Sequence, residues 1–336
     1  MILVTGGTGL VGGHLLWQLL QENDRIAAIR RPSSDLNPLR SIFSSYTSKP
    51  DDFFLRIEWR IGDVLNEESI RDAMSDVTLI YHCAAVVSLA NNTGNFPDTN
   101  VQGTHNIVKT ALEAGVKKLC FVSSISACGK SSEKTEIDEN SIWSDSPNRS
   151  RYSRSKYYSE QEVWKGIRVG LNAVIVNPGV ILGVSGNDTG SSQLFSRVQK
   201  GLLFYTNGGT GYVDVKDVVI AMIQLMKSNI SGERYVLVGE NCSNKEILGW
   251  MAEGFGRRRP FIVVGKRLLW LVGILSEFFG KVFRFQPLID RRSARTATIR
   301  EYYSNRKIKS AIGINFTTLA NCIQDVCDFR MKNQQQ

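Results

Sequence analysis

The chain has little of what marks a metal site, a disulfide scaffold or a membrane span. Its six cysteines (Cys83, Cys120, Cys128, Cys242, Cys322 and Cys327) include no C-x-x-C spacing, and there are only three histidines. A zinc site or a disulfide framework is therefore not expected, and a reducing compartment fits best. Cys83 and Cys120 sit in apolar, strand-like runs, where a free thiol behaves as a small hydrophobe. Long apolar runs are also missing. The longest, near Leu268–Phe279, is broken by Glu277, whereas a spanning helix needs about 20 apolar residues. Met1-Ile-Leu-Val runs straight into a glycine turn, with no basic stretch, long apolar stretch or cleavage site of a secretory signal. The expectation is a cytoplasmic protein with no transmembrane segment. There is no internal repeat and no nucleic-acid-binding motif, so nucleic acid is not an expected partner.

Acidic residues are scarce in one region. The formal charge is +9, and residues 256–309 hold fourteen Lys/Arg against three acids, Glu277, Asp290 and Glu301. Such an excess attracts phosphates, membrane surfaces or acidic substrates, although charge runs are usually solvated faces. The apolar segment Phe261–Phe285, with Trp270, Leu271, Phe278 and Phe279, reads as a packed amphipathic helix, with a pocket wall or a membrane contact as alternatives.

The first half alternates short apolar runs with helical patterns. Strands are expected at Ile2–Thr5, Arg25–Ile29, Phe53–Arg60, Val77–Cys83, Lys118–Ser123 and Asn172–Asn177. Helices are expected at Gly9–Leu20, Asn66–Met74, Thr99–Ala114 and Tyr152–Val169. This alternation implies an α/β fold, a doubly wound parallel sheet with helices on both faces. Beyond residue 178 glycine turns break the pattern. Val213–Met226 reads as a helix, Arg234–Val238 as a strand, and residues 243–333 as mostly helical. In such a sheet ligands bind outside the carboxyl ends of the strands. The chemically useful residues cluster there: Gly6–Gly12, Arg30, Asp63, Ala84–Ala85, Ser123–Ser124 and Pro178–Gly179.

Thr5-Gly-Gly-Thr-Gly-Leu-Val-Gly12 joins a strand to a helix, with Gly6, Gly9 and Gly12 spaced three apart. Such glycines allow a tight turn and close approach to a pyrophosphate, and the helix N-terminus favours the anion. The second strand ends in Arg30-Arg31, with no acid to hold a ribose hydroxyl. An arginine there suits a 2′-phosphate, which favours NADP(H) over NAD(H). Tyr152 and Lys156 lie four apart and share a helix face. A nearby ammonium lowers a phenol pKa, which makes such a pair a means of moving a proton to or from a carbonyl oxygen.

These motifs together resemble the extended short-chain dehydrogenases/reductases, the NAD-dependent epimerase/dehydratase superfamily. The likeness runs over roughly residues 1–315 through TGxxGxxG, Phe121-Val-Ser-Ser124, Tyr152-x-x-x-Lys156, His82-Cys-Ala-Ala85, Asn100-Val-Gln-Gly-Thr104, Asn177-Pro-Gly179, Tyr212–Val218 and Gly232–Tyr235. Within that family, Val-Ser-Ser, Asn-Pro-Gly and the arginine after the second strand look most like the dihydroflavonol reductase group and its bacterial relatives. The resemblance implies a Rossmann-type domain over 1–178, with 212–228 returning to it. A smaller, mostly helical substrate lobe would cover 179–211 and 229–333. It implies Ser124, Tyr152 and Lys156 as the catalytic group. Cofactor contacts would come from Gly6, Thr8, Gly9, Leu10, Val11, Gly12, Arg30, Asp63, Val64, Ala84, Ala85, Ser123, Tyr152, Lys156, Pro178 and Val180, with no metal. The implied substrate is a small carbonyl or alcohol, with Val86, Ser88, Phe195 and Phe204 as candidate pocket residues, and a homodimer is common in the family. Three rival readings remain. A nucleotide-sugar epimerase or dehydratase is disfavoured by Ile125 and Ser126, where resembling dehydratases carry acids. A steroid or lipid hydroxyl dehydrogenase is the second, and a non-catalytic NADP(H) sensor the third.

Overall fold

The computed structural model describes residues 1–86, 96–129, 136–146, 149–268 and 297–334, and only the backbone of 96–98 and 334. Ser88, Trp270, Leu271, Phe278 and Phe279 lie outside the described residues.

Strand and helix alternate from the start: β1 (Ile2–Thr5), α1 (Leu10–Leu19), β2 (Ile26–Arg30), α2 (Asn37–Ser44), α3 (Pro50–Phe54), β3 (Ile57–Ile61), α4 (Glu67–Ala73), β4 (Leu79–His82), α5 (Phe96–Glu113), β5 (Lys118–Val122), α6 (Arg151–Arg168) and β6 (Ala173–Pro178). After them come β7 (Val180–Leu182), α7 (Ser192–Gln199), β8 (Phe204–Tyr205), β9 (Gly209–Asp214), α8 (Val215–Lys227), β10 (Glu233–Leu237), β11 (Glu240–Ser243), α9 (Asn244–Gly254) and β12 (Ile262–Val263). The chain closes with α10 (Arg306–Ile312) and α11 (Leu319–Gln334).

Seven strands form one parallel sheet in the order β10-β6-β5-β4-β1-β2-β3. The order reverses direction at β1, so a crevice opens between the carboxyl ends of β1 and β4. Strand residues alternate between two cores. Leu3, Ala27 and Ile175 pack on one face, and Val4, Ala28, Val174 and Val176 on the other. β10 falls in the range expected for the lobe, yet it extends the main sheet by pairing along β6. A third apolar cluster, with Leu182, Phe195, Ile247, Met251, Leu319 and Ile323, surrounds the small sheet β11-β9-β7.

Two boundaries differ from the sequence expectation. Phe53 and Phe54, expected in a strand, end the short helix α3. Pro50 sits in its first turn with Asp51 and Asp52, which suits a helix start. Phe53 then packs 4.5 Å from the Trp17 ring, and Phe54 5.8 Å from Trp59. Val213 and Asp214, expected in a helix, end β9. The Asp214 carboxylate accepts from Lys216 N at 2.8 Å and caps α8.

His14, in the second turn of α1, ties the sheet domain to the segment after β7. Its Nε2 donates to the Val184 carbonyl at 2.8 Å, and its Nδ1 accepts from the Tyr46 hydroxyl at 2.5 Å. Burial pushes its pKa down to about 4 against the raising effect of the Val184 bond.

Candidate active site

The glycine turn closes against the end of β4. Gly6 has φ +70°, and a Cβ there would lie 2.7 Å from the Ala84 backbone. A Cβ on Gly12 would lie 2.2 Å from the Gly6 carbonyl oxygen. Only glycine fits either place. Gly9 stands at the N-cap of α1, and no side chain bonds the first amides of that helix. Thr8, Leu10 and Val11 flank it, partly buried. The turn is thus shaped to bring backbone amides to an anion.

Arg30 ends β2, and its Nε is buried with no hydrogen-bond partner. An unsatisfied buried guanidinium nitrogen is costly, which suits a group that binds an anion. Asp63 accepts from the Leu65 amide at 3.0 Å and so forms an Asx turn. Val64 packs where a Gly103 Cβ would be, 2.8 Å away, and its carbonyl accepts from Asn106 at 2.8 Å.

A polar chain fixes the ends of β1 and β4. Ala84 N donates to Thr5 Oγ1 at 3.1 Å, so the Thr5 hydroxyl donates to His82 Nδ1 at 2.7 Å. His82 Nε2 then donates to Thr104 Oγ1 at 3.2 Å, and Thr104 to the Asn100 carbonyl at 2.8 Å. One tautomer satisfies every member. Burial, with the Lys156 charge adding to it, pushes the His82 pKa down to about 3. The Asn100 amide brackets Val86, accepting from its N–H at 2.8 Å and donating to its carbonyl at 3.1 Å. It also donates to Ser155 Oγ at 3.1 Å, and Ser155 donates to the Tyr152 carbonyl at 2.9 Å. Asn100 therefore sets the strand-end loop against the helix that carries Tyr152.

Tyr152, Ser124 and Lys156 converge at the other side of the crevice. Ser124 Oγ accepts from Ser126 N at 3.1 Å and lies against the Tyr152 phenol, whose pKa it lowers. Lys156 donates to the Val122 carbonyl at 2.9 Å. Burial lowers its pKa to about 8, opposed by Cys83 and Glu160. The sequence pattern led us to expect that Lys156 would lower the phenol pKa. Instead burial raises it, and Ser124 is the group that opposes the rise.

Behind these groups lies Glu160, one turn beyond Lys156 and fully buried. Its Oε2 accepts from Ser123 Oγ at 2.8 Å and Asn177 Nδ2 at 2.9 Å. Its Oε1 accepts from Arg234 Nη1 at 2.9 Å and Trp164 Nε1 at 3.2 Å. Ser123 is therefore committed to the interior. Asn177 Nδ2 also donates to the Ser124 carbonyl at 3.0 Å, which holds the serine in place. Pro178 ends β6, and Val180 begins β7 beside the third core cluster. Between them a Cβ on Gly179 would lie 2.4 Å from the Gly211 carbonyl oxygen. Phe195, a pocket candidate from sequence, is instead 1% exposed in that cluster, whereas Phe204 and Val86 are exposed. Sequence reasoning passed over Glu160 and gave Arg234 no role. The spacing of Tyr152, Lys156 and Glu160, four apart, was the available signal.

Two outcomes follow for stability. Glu160→Ala strands the Arg234 charge and should lower unfolding free energy by about 3–5 kcal/mol, with Glu160→Gln less severe; urea denaturation measures both. His14 and His82 fold neutral, with pKa values near 4 and 3, against about 6.5 unfolded. As pH falls below about 6.5 the unfolded chain gains protons that the folded chain refuses. Stability should therefore drop by up to about 1.4 kcal/mol per pH unit per histidine. Asp214 and Asp217, whose carboxyls burial pushes up, act in the opposite sense at lower pH. Urea titrations at pH 7 and pH 5 test this, and His14→Gln should flatten the slope.

Comparison with known proteins places this arrangement. Residues 2–238 match the model of the NAD dependent epimerase/dehydratase family. The chain is 31% identical over 314 residues to "Sterol demethylase protein B" of Methylococcus capsulatus, covering 92% of this chain and 88% of that protein. It is 29% identical over 334 residues to a Synechocystis sp. protein provisionally named dihydroflavonol 4-reductase, covering 96% and 92%. Among solved structures, gox2253 superposes with a TM-score of 0.82 at 27% identity, covering 100% of this chain and 99% of that one. The parallel sheet, the glycine turn and these matches agree: the chain belongs to the NAD dependent epimerase/dehydratase family, the extended branch of the short-chain dehydrogenases/reductases.

Proposed function

We propose that the chain is an NADP(H)-dependent oxidoreductase that interconverts a carbonyl and an alcohol on a small organic substrate. The observation that carries this reading is Ser124 set against the Tyr152 phenol, where it opposes the rise in its pKa, with the Lys156 ammonium buried one helical turn on. The cofactor fits the residues present. The Gly6–Gly12 turn would hold its diphosphate, and the buried, unpartnered Arg30 Nε its 2′-phosphate. Asp63, Val64, Ala84, Ala85, Pro178 and Val180 would border it. When bound, the nicotinamide supplies or accepts the hydride.

The chain's own residues handle the proton. Burial keeps the Tyr152 phenol protonated at neutral pH, so it is ready to donate to a carbonyl oxygen as negative charge develops there. Ser124, positioned by its bond to Ser126 N, steadies that oxygen. Lys156, buried one helical turn from Tyr152, supplies a positive charge that stabilises the phenolate formed after transfer.

An epimerase or dehydratase role finds less support, since Ile125 is packed in a small apolar cluster and Ser126 is not an acid. A sensor that only binds NADP(H) has no use for the proton-transfer group. A sterol-like substrate is the second reading, favoured by the 31% identity to the Methylococcus protein.

Tyr152→Phe should cut NADPH-dependent reduction of a responsive ketone or aldehyde by roughly 100-fold or more, with NADPH binding retained. Turnover unchanged in that variant would refute the assignment. Arg30→Ala should weaken NADPH roughly tenfold to hundredfold and NADH far less, as read by cofactor-fluorescence titration.

A further inference from the structure

We infer that the ribbon formed by β8 and β12 is a docking surface for an anionic phospholipid bilayer. This inference stands independently of the hydride-transfer reading. The two strands pair in parallel, Ile262 with Phe204 and Val263 with Tyr205. The amides of Phe261 and Ile262 donate to the Leu203 carbonyl at 3.1 and 3.0 Å. Leu203, Phe204, Phe261, Ile262 and Val263 thus form one continuous apolar patch, each 37–50% exposed. Ile262 and Val263 are neighbours in a strand and point to opposite faces. Both are exposed, so β12 presents apolar side chains on two faces, while in β8 Phe204 is exposed and Tyr205 packs on the body of the protein. An exposed apolar cluster of this kind marks an interaction site.

The charge around the patch selects the lipid. Residues 257–268 carry Arg257, Arg258, Arg259, Lys266 and Arg267 and no acid, and all five are exposed. Arg258 lies 4.3 Å above the Phe261 ring, and Lys245 lies 5.5 Å from the Tyr205 ring. Arg259 is partly neutralised by Glu253, which leaves Arg257, Arg258, Lys266 and Arg267 to set the field. Cations placed on both sides of an apolar tip match a surface with negative headgroups outside and acyl chains beneath. No helix among the described residues is long and apolar enough to cross a membrane. The ribbon belongs to the half of the chain built on the third core cluster, since Tyr205 packs against it. Docking here would hold that half at the interface and leave the seven-stranded sheet in water.

Flotation of the full chain with two kinds of vesicle tests this: phosphatidylcholine alone, and phosphatidylcholine mixed with phosphatidylglycerol. Binding to the mixed vesicles should exceed binding to the neutral ones by at least about tenfold and weaken with salt. Lys266→Ala with Arg267→Ala should lower it roughly 25-fold, about fivefold per cation. Phe261→Ser with Val263→Ser should also lower it, although the charge is unchanged. Ile262→Asn provides a second apolar variant should that pair fail to fold, as checked by thermal melting. Three results overturn the proposal. One is no binding to the mixed vesicles. Another is binding indifferent to every apolar substitution, which is charge attraction alone. The third is a concentration-dependent dimer that the apolar substitutions disperse, which assigns the ribbon to a second copy of this chain.

Discussion

A carboxylate removed from water must be given donors on every lone pair, and at Glu160 this requirement fixes the architecture around it. Four donors meet it from four places: Ser123 at the end of β5, Asn177 in β6, Arg234 in β10, and Trp164 one turn further along its own helix. A carboxylate has about four acceptor sites, so the group is saturated. Each donor is short or braced. Arg234 is held on its far side by the Glu139 carbonyl, and the Glu139 carboxylate accepts from Val236 N at 2.8 Å. The helix cannot slide along the sheet without breaking several of these bonds at once. Buried ion pairs are weak grounds for claiming net stability. Their value here is register, because Tyr152 and Lys156 stand on the face that Glu160 anchors.

The same logic orients Asn177. Both its N–H groups are engaged, one by Glu160 and one by the Ser124 carbonyl. Its Oδ1 is buried without a partner. Turning the amide over would set that oxygen against the carboxylate, so the orphaned acceptor is the smaller cost. Through this residue the carboxylate on the helix reaches the backbone of Ser124. On the opposite wall the chain from Ala84 through Thr5, His82 and Thr104 to Asn100 does comparable work with neutral groups. Asn100 then returns to the helix through Ser155. Tyr152 is thus located from two sides, by a charged network below and a neutral one beside it.

Much of this was legible in the sequence, for identifiable reasons. A glycine turn that follows a strand and opens a helix admits few conformations, and its role follows from spacing. Parallel strands buried on both faces read as apolar runs, so β1, β5 and β6 were placed to within a residue or two. Phe53 and Phe54 were misread because an aromatic pair satisfies strand and helix patterns alike. Only the contact with Trp17 and Trp59 separates them. The site divided along the same line. Tyr152 and Lys156 were nominated because their chemistry imposes a four-residue spacing along the chain, and Ser124 because its strand end resembles the family's. Arg234 was not, because its partner lies 74 residues away and nothing local distinguishes a buried arginine from a solvated one. The end of β10 was visible as a strand, but membership of the main sheet is a matter of which strand it lies beside.

The pKa of Tyr152 shows why such a site cannot be reduced to its motif. Four-residue spacing puts an ammonium and a phenol on one helix face, and in isolation that would favour the phenolate. In the fold Lys156 is buried and Tyr152 partly so, and desolvation acts on each toward its neutral form: the phenol rises and the ammonium falls to about 8. The Val122 carbonyl and the Glu160 charge then hold the lysine protonated against that pressure. A positive charge kept in a dry place responds strongly to a new negative charge, because little water is present to screen it. On the proposed reading, the resting tyrosine keeps its proton and the lysine acts when the proton leaves. The carboxylate that fixes the helix also helps maintain that charge, so position and proton affinity at this site share one origin.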